Sequence, residues 1–600
     1  MRDELRRLGY LDSGLERFVL AGAGAVCPLR TCGRVAVRLG LVGGVLFGLA
    51  LSLAASGVDS RLLASSADLA VLSLYLVVLM GTVTALAALG GGLASAWFGR
   101  RGRTPPPELS RNIGLALSLA ALAYLALWWR SYAGDASLAF QLTVPFVGLG
   151  LSLALGRFGA MASVAVVAAG GIGARLPQAG LSRRRVLPLL AAAGLLFGAG
   201  VSAAAYFAAA DGEPPDFAVV PSDVRARLLG IDGLDPRMVD QMIARREMPR
   251  LAAVLKAGAR ARMRVEPERV PALVWTTIAT GREPEAQGVL SAGARGPAAM
   301  RAPWPFGAES RMVRMAVKAA DLLRLAPEQV PSAVLRAVKT FWSVASERGL
   351  RVGVVNWQAT WPAEAVNGYL VSDRTFFRLE RGGASDREVT PPHLFTPLRQ
   401  AGLDGEPDRA RRLDLFAVET ARRLRGSHPP DLEAVYLPGL DIATMQQLGG
   451  DGGSDLATMG ARLDAVRSYY RFTDGLIGRA VEELEPGQVL ILVGDPGRLA
   501  RQAAAAAEGM LVLIGGPAVT VDLGTVSERD IAPTLLHLAG LPVSRELPGS
   551  PVEAAFGPAF RRSHPVRTIM TYGRRPVPKP ADGNFDREML DELRSLGYVQ

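Results

Sequence analysis

The chain has 600 residues, 49% of them apolar, and a mean hydropathy of +0.22, which is too apolar for an ordinary soluble enzyme. Its net charge of +11 is concentrated in the first 213 residues, where 18 arginines, no lysine and 10 acidic residues give +8. The rest of the chain has no basic stripe interleaved with aromatic side chains, so we expect no nucleic-acid partner.

The first 210 residues contain repeated apolar runs of about 20 residues or more, the length that crosses the hydrocarbon core of a bilayer. These runs predict about five transmembrane helices, at 38–57, 69–98, 112–130, 139–173 and 187–210. The long run 139–173 leaves a sixth span open, as a hairpin broken at Arg157-Phe158. Five spans are the preferred interpretation because they agree with the charges of the loops.

Arginines cluster in alternate loops, at Arg2–Arg38, Arg100–Arg111 and Arg175–Arg185. Basic loops stay on the cytoplasmic side, so five spans with the N-terminus inside place everything after residue 210 outside. We therefore predict a multi-pass protein of the inner (cytoplasmic) membrane, with the lipid bilayer as a partner. High Ala, Arg and Gly without Lys in the membrane half is typical of a bacterial chain.

Five segments follow from this pattern: a cytoplasmic N-terminal segment (1–37), a transmembrane region (38–210), a linker (211–222), an extracytoplasmic domain (223–560) and a C-terminal tail with a short helix (561–600).

In the outer domain, short β-type runs alternate with helical patterns. The predicted strands are Arg227–Ile231, Val352–Asn356, Leu432–Leu437, Val489–Val493 and Met510–Ile514, and the helical patterns are Pro236–Ala257, Ala333–Glu347, Leu413–Leu424 and Leu463–Leu484. This alternation predicts an α/β domain with a mostly parallel sheet and helices on both faces. Sites in such sheets gather where strands end, which is where Asp232, Asp441 and Asp495 occur.

Several motifs follow one another between residues 223 and 545. They are Leu228–Asp235 (LLGIDGLD), Trp275–Gly281 (WTTIATG), Pro284–Val289 (PEAQGV), Ala434–Asp441 (AVYLPGLD), Tyr469–Gly478 (YYRFTDGLIG), Val489–Asp495 (VLILVGD) and Ala532–Pro542 (APTLLHLAGLP). Together they resemble the type I phosphodiesterase/nucleotide pyrophosphatase family of the sulfatase-like alkaline phosphatase superfamily. The resemblance implies an alkaline-phosphatase-like fold.

The resemblance also implies a chemistry in which two zinc ions flank a phosphoryl group and a Ser or Thr hydroxyl attacks it. Three Asp and three His hold the ions in that family. The Asp positions map to Asp232, Asp441 and Asp495, whereas the His positions map to Met445, Pro496 and Ala505. The four histidines of the chain, at 393, 428, 537 and 564, are expected in loops, on helix surfaces or in the tail.

The nucleophile of the family maps to Pro271, and no Ser, Thr or Cys occurs between residues 251 and 275. The nearest hydroxyls are Thr276 and Thr277, which are expected in the helix behind that position. The three aspartates have two open interpretations: caps of the following helix or turn, or remnant ligands of a weak Mg²⁺ or Ca²⁺ site. No cofactor of high affinity is expected.

The primary hypothesis is therefore a catalytically inactive, membrane-anchored pseudoenzyme that binds a phospho-ligand or an envelope protein, or serves as a scaffold. The alternative is a metal-dependent phosphoester or phosphodiester hydrolase with a remodelled site. A phosphoglycolipid-type transferase is a third option, because membrane spans followed by such a domain resemble lipoteichoic acid synthases and phosphoethanolamine transferases. That likeness rests on layout alone.

Overall fold

The structure is a computed structural model of the chain. It describes residues 19, 28–58, 66–100, 108–132, 138–171, 216–220, 222–266, 270–287, 294–295, 328–329, 332–382, 387–398, 405–449, 456–503, 507–573 and 575.

Four long apolar helices come first in the chain: α1 (Pro28–Val58), α2 (Ser66–Arg100), α3 (Leu109–Tyr132) and α4 (Leu138–Gly171). Each contains a stretch long and apolar enough to cross a membrane, at 29–52, 69–98, 109–126 and 148–167. These helices fit membrane anchoring and agree with the first four predicted spans. The fifth prediction, 187–210, lies outside the described residues. Because α4 runs unbroken through Arg157, the described part of the run 139–173 is one helix and not a hairpin.

Glycines on α1 allow the backbone of α2 to approach closely. A Cβ atom added at Gly44 would lie 2.6 Å from the carbonyl oxygen of Val77, and one added at Gly48 would lie 2.5 Å from the Cα atom of Val77. Small residues provide such close approach in membranes, where van der Waals packing drives helix association.

The described residues after 210 form a second compact unit around one mixed sheet. Its strands are β1 (Arg225–Asp232), β2 (Ala259–Arg264), β5 (Val352–Val355), β6 (Gly368–Val371), β7 (Val389–Thr390), β8 (Leu432–Leu437), β9 (Gln488–Asp495), β10 (Glu508–Gly515) and β11 (Val521–Ser527). Their order is β11-β2-β10-β9-β1-β8-β5-β6-β7. The strands from β9 to β6 are parallel, whereas β10 runs antiparallel to both of its neighbours and β7 runs antiparallel to β6. Two short ladders pair β3 (Ala294–Arg295) with β4 (Glu328–Gln329) and β12 (Val543–Ser544) with β13 (Thr568–Ile569).

The helices of the domain pack on both faces of the sheet, as its predicted α/β class requires. They are α5 (Pro236–Ala244), α6 (Pro249–Ala257), α7 (Pro271–Thr280), α8 (Pro284–Gln287), α9 (Phe341–Glu347), α10 (Thr375–Glu380), α11 (Phe395–Leu398), α12 (Arg409–Ser427), α13 (Gly439–Leu448), α14 (Leu456–Glu482), α15 (Gly497–Ala503), α16 (Ile531–Leu538) and α17 (Pro558–Ser563).

Neighbouring residues of β1 belong to two different apolar cores. Leu229 packs in one core with Leu437 and Phe416, whereas Leu228 packs in the other with Trp275 and Trp342. Alternate side chains of a strand point to opposite faces, so a strand with helices on both sides is apolar along its length. This burial explains why β1, β8 and β9 were recognisable as continuous apolar runs.

Three boundaries differ from the sequence-based expectation. The pattern Pro236–Ala257 forms two helices, because Arg246 has a φ of 61° and Pro249 begins a new helix. The pattern Ala333–Glu347 becomes helical only at Phe341, after Thr340 caps the helix by accepting a hydrogen bond from the Ser343 amide. The domain also continues beyond the predicted end at residue 560, since α17 and β13 pack onto it and Tyr572 is buried.

Candidate functional site

Asp232 and Asp495 occupy equivalent positions at the ends of two adjacent strands. Each is the last residue of its strand, β1 or β9, and the two residues are register partners across the parallel pair. Asp441 is the third residue of α13, the helix that follows β8 on the other side of β1. All three side chains are buried. The carboxyl edge of the sheet therefore gathers the three predicted aspartates.

Two glycines in left-handed conformations bring the chain segments around Asp441 into close contact. Gly233 has a φ of +87°, and a Cβ atom there would lie 2.5 Å from the Asp441 amide nitrogen. Gly497 has a φ of +85°, and its Cβ atom would lie 2.8 Å from Asp441 Oδ1. Glycine is required at both positions by conformation and by space.

Both carboxylate oxygens of Asp441 accept hydrogen bonds from one residue, Arg498. The Arg498 backbone amide donates to Oδ1 at 2.9 Å, and its guanidinium Nε donates to Oδ2 at 2.6 Å. The two side chains are only 8% and 1% exposed. Asp441 is thus fully engaged by a buried ion pair.

Asp495 has a similar relation to Arg501. Its Oδ2 atom accepts a hydrogen bond from the Gly497 amide at 2.9 Å and lies 3.0 Å from Nη2 of Arg501, which is itself buried. Asp441 and Asp495 together accept from the first two amides of α15, Gly497 and Arg498. Both contacts cap the start of α15. Asp441 therefore caps α15 and not α13, the helix to which it belongs.

Asp232 accepts one hydrogen bond, at Oδ2 from the Tyr436 hydroxyl at 2.8 Å. Burial raises the pKa of Asp232 well above its usual range, and the charges of Asp441 and Asp495 raise it further, whereas Arg501 and Tyr436 offset only part of the effect. Within the described part of the chain, Asp232 Oδ1 and Asp495 Oδ1 have no hydrogen-bond donor.

Arg501 remains charged in this environment. Burial alone would lower the pKa of its guanidinium, but the carboxylates of Asp495, Asp232 and Asp441 outweigh burial and raise it. The site therefore combines the three buried aspartates with two permanently basic groups, and the buried Glu528 also interacts electrostatically with Arg501.

The residue that the resemblance assigns to the nucleophile position has no group capable of attack. Pro271 is the first residue of α7 and has neither a hydroxyl nor an amide hydrogen. Thr276 donates its hydroxyl to the Ala272 carbonyl at 2.6 Å, and Thr277 accepts from the Gln287 side chain at 3.4 Å. Both threonines are buried within α7, so the two alternative hydroxyls are used in packing.

The three positions where the family has histidines provide no imidazole. Met445 lies one turn after Asp441 on α13, and Pro496 is buried between Asp495 and Gly497. Ala505 lies outside the described residues.

The histidines that do occur lie elsewhere, and one of them corrects the expectation. His537 is buried on α16, where its ring packs against Phe556 and Phe560. Burial, together with His564 and Arg567, lowers its pKa to about 4. It is a neutral core side chain, not a residue of a loop or a helix surface.

This donor set does not fit the two zinc ions of the resembled family. Four of the six carboxylate oxygens of Asp232, Asp441 and Asp495 already accept hydrogen bonds from the protein. Among the described residues, no three His, Cys, Asp or Glu side chains converge as a metal site. Zinc sites are built from imidazole, thiolate or carboxylate ligands, and here two guanidinium groups face the carboxylates instead.

Residues 227–500 match the family model described as type I phosphodiesterase / nucleotide pyrophosphatase. The resemblance inferred from the motifs is confirmed. Enzymes of this family are typically zinc dependent. No curated protein matches the chain.

Solved structures similar to the chain include the phosphonoacetate hydrolase of Sinorhizobium meliloti 1021, at 15% identity and a TM-score of 0.30, with 47% of this chain and 58% of the hydrolase covered. The phosphonate monoester hydrolase of Silicibacter pomeroyi matches at 12% identity and a TM-score of 0.34, covering 55% of this chain and 75% of that enzyme. A sulfatase-like protein of Bacteroides thetaiotaomicron matches at 12% identity and a TM-score of 0.36, covering 56% of this chain and 74% of that protein. The chain thus spans little more than half of the phosphonoacetate hydrolase.

Sequence reasoning missed Arg498, Arg501 and the hydroxyl of Tyr436. A signal was present in the run DPGRLAR at 495–501. Two arginines three residues apart follow Asp495, next to which Pro496 stands at the position assigned to a family histidine. Residues three apart share one face of a helix, so both arginines face the same side of α15.

Proposed function

We propose that this chain is a catalytically inactive, membrane-anchored phosphodiesterase-like protein of the cell envelope, with a binding or scaffolding role. The observation that supports it most directly is the engagement of both Asp441 oxygens by Arg498. The buried guanidinium of Arg498 already supplies the positive charge that a metal ion would bring to this carboxylate. Without the metal, a hydroxyl is a poor nucleophile at neutral pH.

The start of α7 supports the same proposal, because it concerns the attacking group of the reaction and not the metal ligands. Pro271 stands where the family has its attacking hydroxyl, and Thr276 and Thr277 are bonded within the core. Moving either threonine to the surface would require α7, which is buried along its whole length, to repack.

The proposed location is the inner membrane of a bacterium, with the domain outside the cytoplasm. The arginine-rich loops favour this orientation by the positive-inside rule. The bilayer is the first partner, and an envelope protein or a phospho-ligand is the second.

One observation favours the alternative, a metal-dependent phosphoester hydrolase or phosphoglycolipid-type transferase. Asp232 Oδ1 and Asp495 Oδ1, at the ends of adjacent strands, lack a donor among the described residues. Two such oxygens, completed by water, suit a weakly held Mg²⁺ or Ca²⁺ ion.

Hydrolysis of chromogenic phosphodiester and phosphomonoester substrates by the full-length protein in detergent distinguishes the two. Each assay is run with Zn²⁺, Mn²⁺, Mg²⁺ or chelator, beside the double variant Asp232→Asn/Asp495→Asn, with folding checked by circular dichroism. We expect background rates from both proteins. Metal-dependent turnover that disappears in the double variant would overturn the proposal and establish the alternative.

Pro271→Ser provides a second arm, because it returns a hydroxyl to the nucleophile position. We expect this variant to stay at background with every metal, since Arg498 still occupies Asp441. Turnover in Pro271→Ser would show that the carboxylates can still hold a catalytic metal, and would contradict the role assigned to Arg498.

A further inference from the structure

Two buried guanidinium groups offset part of the negative charge of the buried cluster without any added ion. Three carboxylates, Asp232, Asp441 and Asp495, face two guanidinium groups, Arg498 and Arg501, and all five side chains are nearly inaccessible to solvent. Uncompensated charge in a protein interior is costly, so these pairings are required for the fold.

The two arginines divide between the two former metal positions. By the family mapping, one position keeps only Asp441, and Arg498 binds that carboxylate through Nε at 2.6 Å. The other position keeps Asp232 and Asp495, and Arg501 lies 3.0 Å from Asp495 and interacts electrostatically with Asp232. One guanidinium therefore lies at each of the two former metal positions.

We propose that Arg498 and Arg501 are internal replacements for the two metal ions, each supplying the positive charge that a cation supplies in the resembled family. The domain then keeps its stability without metal. Removing Arg501 exposes a latent cation site formed by Asp232 and Asp495, whose Oδ1 atoms already lack a donor among the described residues.

The test is the melting temperature of the full-length protein in detergent, measured with EDTA and then with increasing Mn²⁺, Mg²⁺ or Ca²⁺. We expect the wild type to melt at the same temperature throughout. Arg501→Ala should melt roughly 5–15 °C lower in EDTA, because one partner of a buried ion pair is gone, and should regain a large part of that loss with divalent cation.

Arg336→Ala is the matched control. Arg336 is also a buried arginine in an ion pair, at 2.7 Å from Glu364, but it lies outside the aspartate cluster. Its loss should lower the melting temperature with no recovery in cation. Recovery that is equal in the two variants would mean that cations stabilise the protein nonspecifically, and would overturn the proposal.

Arg501→Ala/Asp495→Asn keeps the test decisive if Arg501→Ala alone fails to fold. Neutralising Asp495 removes the charge that Arg501 compensates, so the double variant should be more stable than Arg501→Ala and insensitive to cation. The proposal fails if the double variant is no better than the single one, or if EDTA lowers the melting temperature of the wild type.

Discussion

Asp414 is a buried carboxyl that joins α12 to the start of α13. Its Oδ1 atom accepts from the Gly439 amide and its Oδ2 atom from the Tyr469 hydroxyl, both at 3.0 Å. Burial raises its pKa to about 7 in spite of these two donors. The carboxyl of Asp414 therefore titrates near neutral pH.

The sign of the resulting pH dependence follows from linkage. The folded carboxyl binds its proton more tightly than an unfolded one, with its ordinary pKa of 3.8, so stability falls as pH rises from about 4 through 7. In Asp414→Asn, the change in the free energy of unfolding across this pH range should be smaller by roughly 2–4 kcal/mol. Melting temperatures at pH 5 and pH 8 measure it, with the exposed Asp464→Asn as control. Equal slopes in wild type and Asp414→Asn would contradict the prediction.

Glu364 shows how burial sets the value of an ion pair. It accepts hydrogen bonds from Arg336, Arg575 and the Trp342 indole at 2.7–3.0 Å. Burial alone would raise its pKa, but the two arginines lower it to about 2. On the surface of α12, hydrogen bonds from two arginines also lower the pKa of Glu419 to about 2.

Despite the equal pKa values, the two glutamates should differ in their effect on stability. Glu364→Gln leaves buried arginines without a counter-charge and should cost roughly 3–5 kcal/mol of unfolding free energy. Glu419→Gln breaks pairs whose arginines are 55% and 44% exposed, and should cost about 1 kcal/mol or less. Chemical denaturation of both variants compares them directly, and similar losses would show that exposure does not decide the outcome.

At the scale of elements, the contact between α1 and α2 depends on glycine. At Gly48 an added Cβ atom would meet backbone atoms of Val77 at 2.5 Å, which cannot move away as a flexible side chain would. Gly90 on α2 has no atom within 4 Å of the same position among the described residues. Gly48→Val should therefore lower the melting temperature in detergent by an amount corresponding to roughly 1–3 kcal/mol, whereas Gly90→Val should leave it nearly unchanged. A larger loss in Gly90→Val than in Gly48→Val would exclude the close contact between α1 and α2.

The strands and the positions of the three aspartates were predictable for a common reason. β1 and β9 are buried on both faces, so each contains an apolar run, Leu228–Ile231 or Val489–Val493, followed closely by an aspartate. Parallel strands share one carboxyl edge, which places Asp232 and Asp495 side by side. Local pattern and topology together were sufficient.

The partners of those aspartates were not predictable, because they depend on long-range contacts. Arg498 meets Asp441 across 57 positions of sequence, and Tyr436 meets Asp232 across 204. Pattern analysis does not report which side chains meet after folding. The early end of α5 and the late start of α9 have local causes, a positive φ at Arg246 and a cap at Thr340, that periodicity does not detect.

At the scale of the whole molecule, the side of the membrane on which the domain lies can be tested with single cysteines. The chain contains only Cys27 and Cys32, so replacing both with Ala gives a clean background. In intact cells, a membrane-impermeant maleimide should label Met570→Cys, whose side chain is 70% exposed in the domain. It should not label Glu108→Cys, in the arginine-rich loop before α3, until the cells are lysed. Labelling of Glu108→Cys but not Met570→Cys in intact cells would show the opposite orientation.

The contact between Asp441 and Arg498 also limits the evolutionary history of the chain. Replacing Arg498 alone leaves a buried anion, and replacing Asp441 alone leaves a buried cation, so each single step passes through a less stable protein. A return to zinc chemistry would need coordinated changes at Pro271, Met445, Pro496 and both arginines. We therefore expect residues 441 and 498 to change together among descendants of this sequence, and the proposed loss of catalysis to be effectively irreversible.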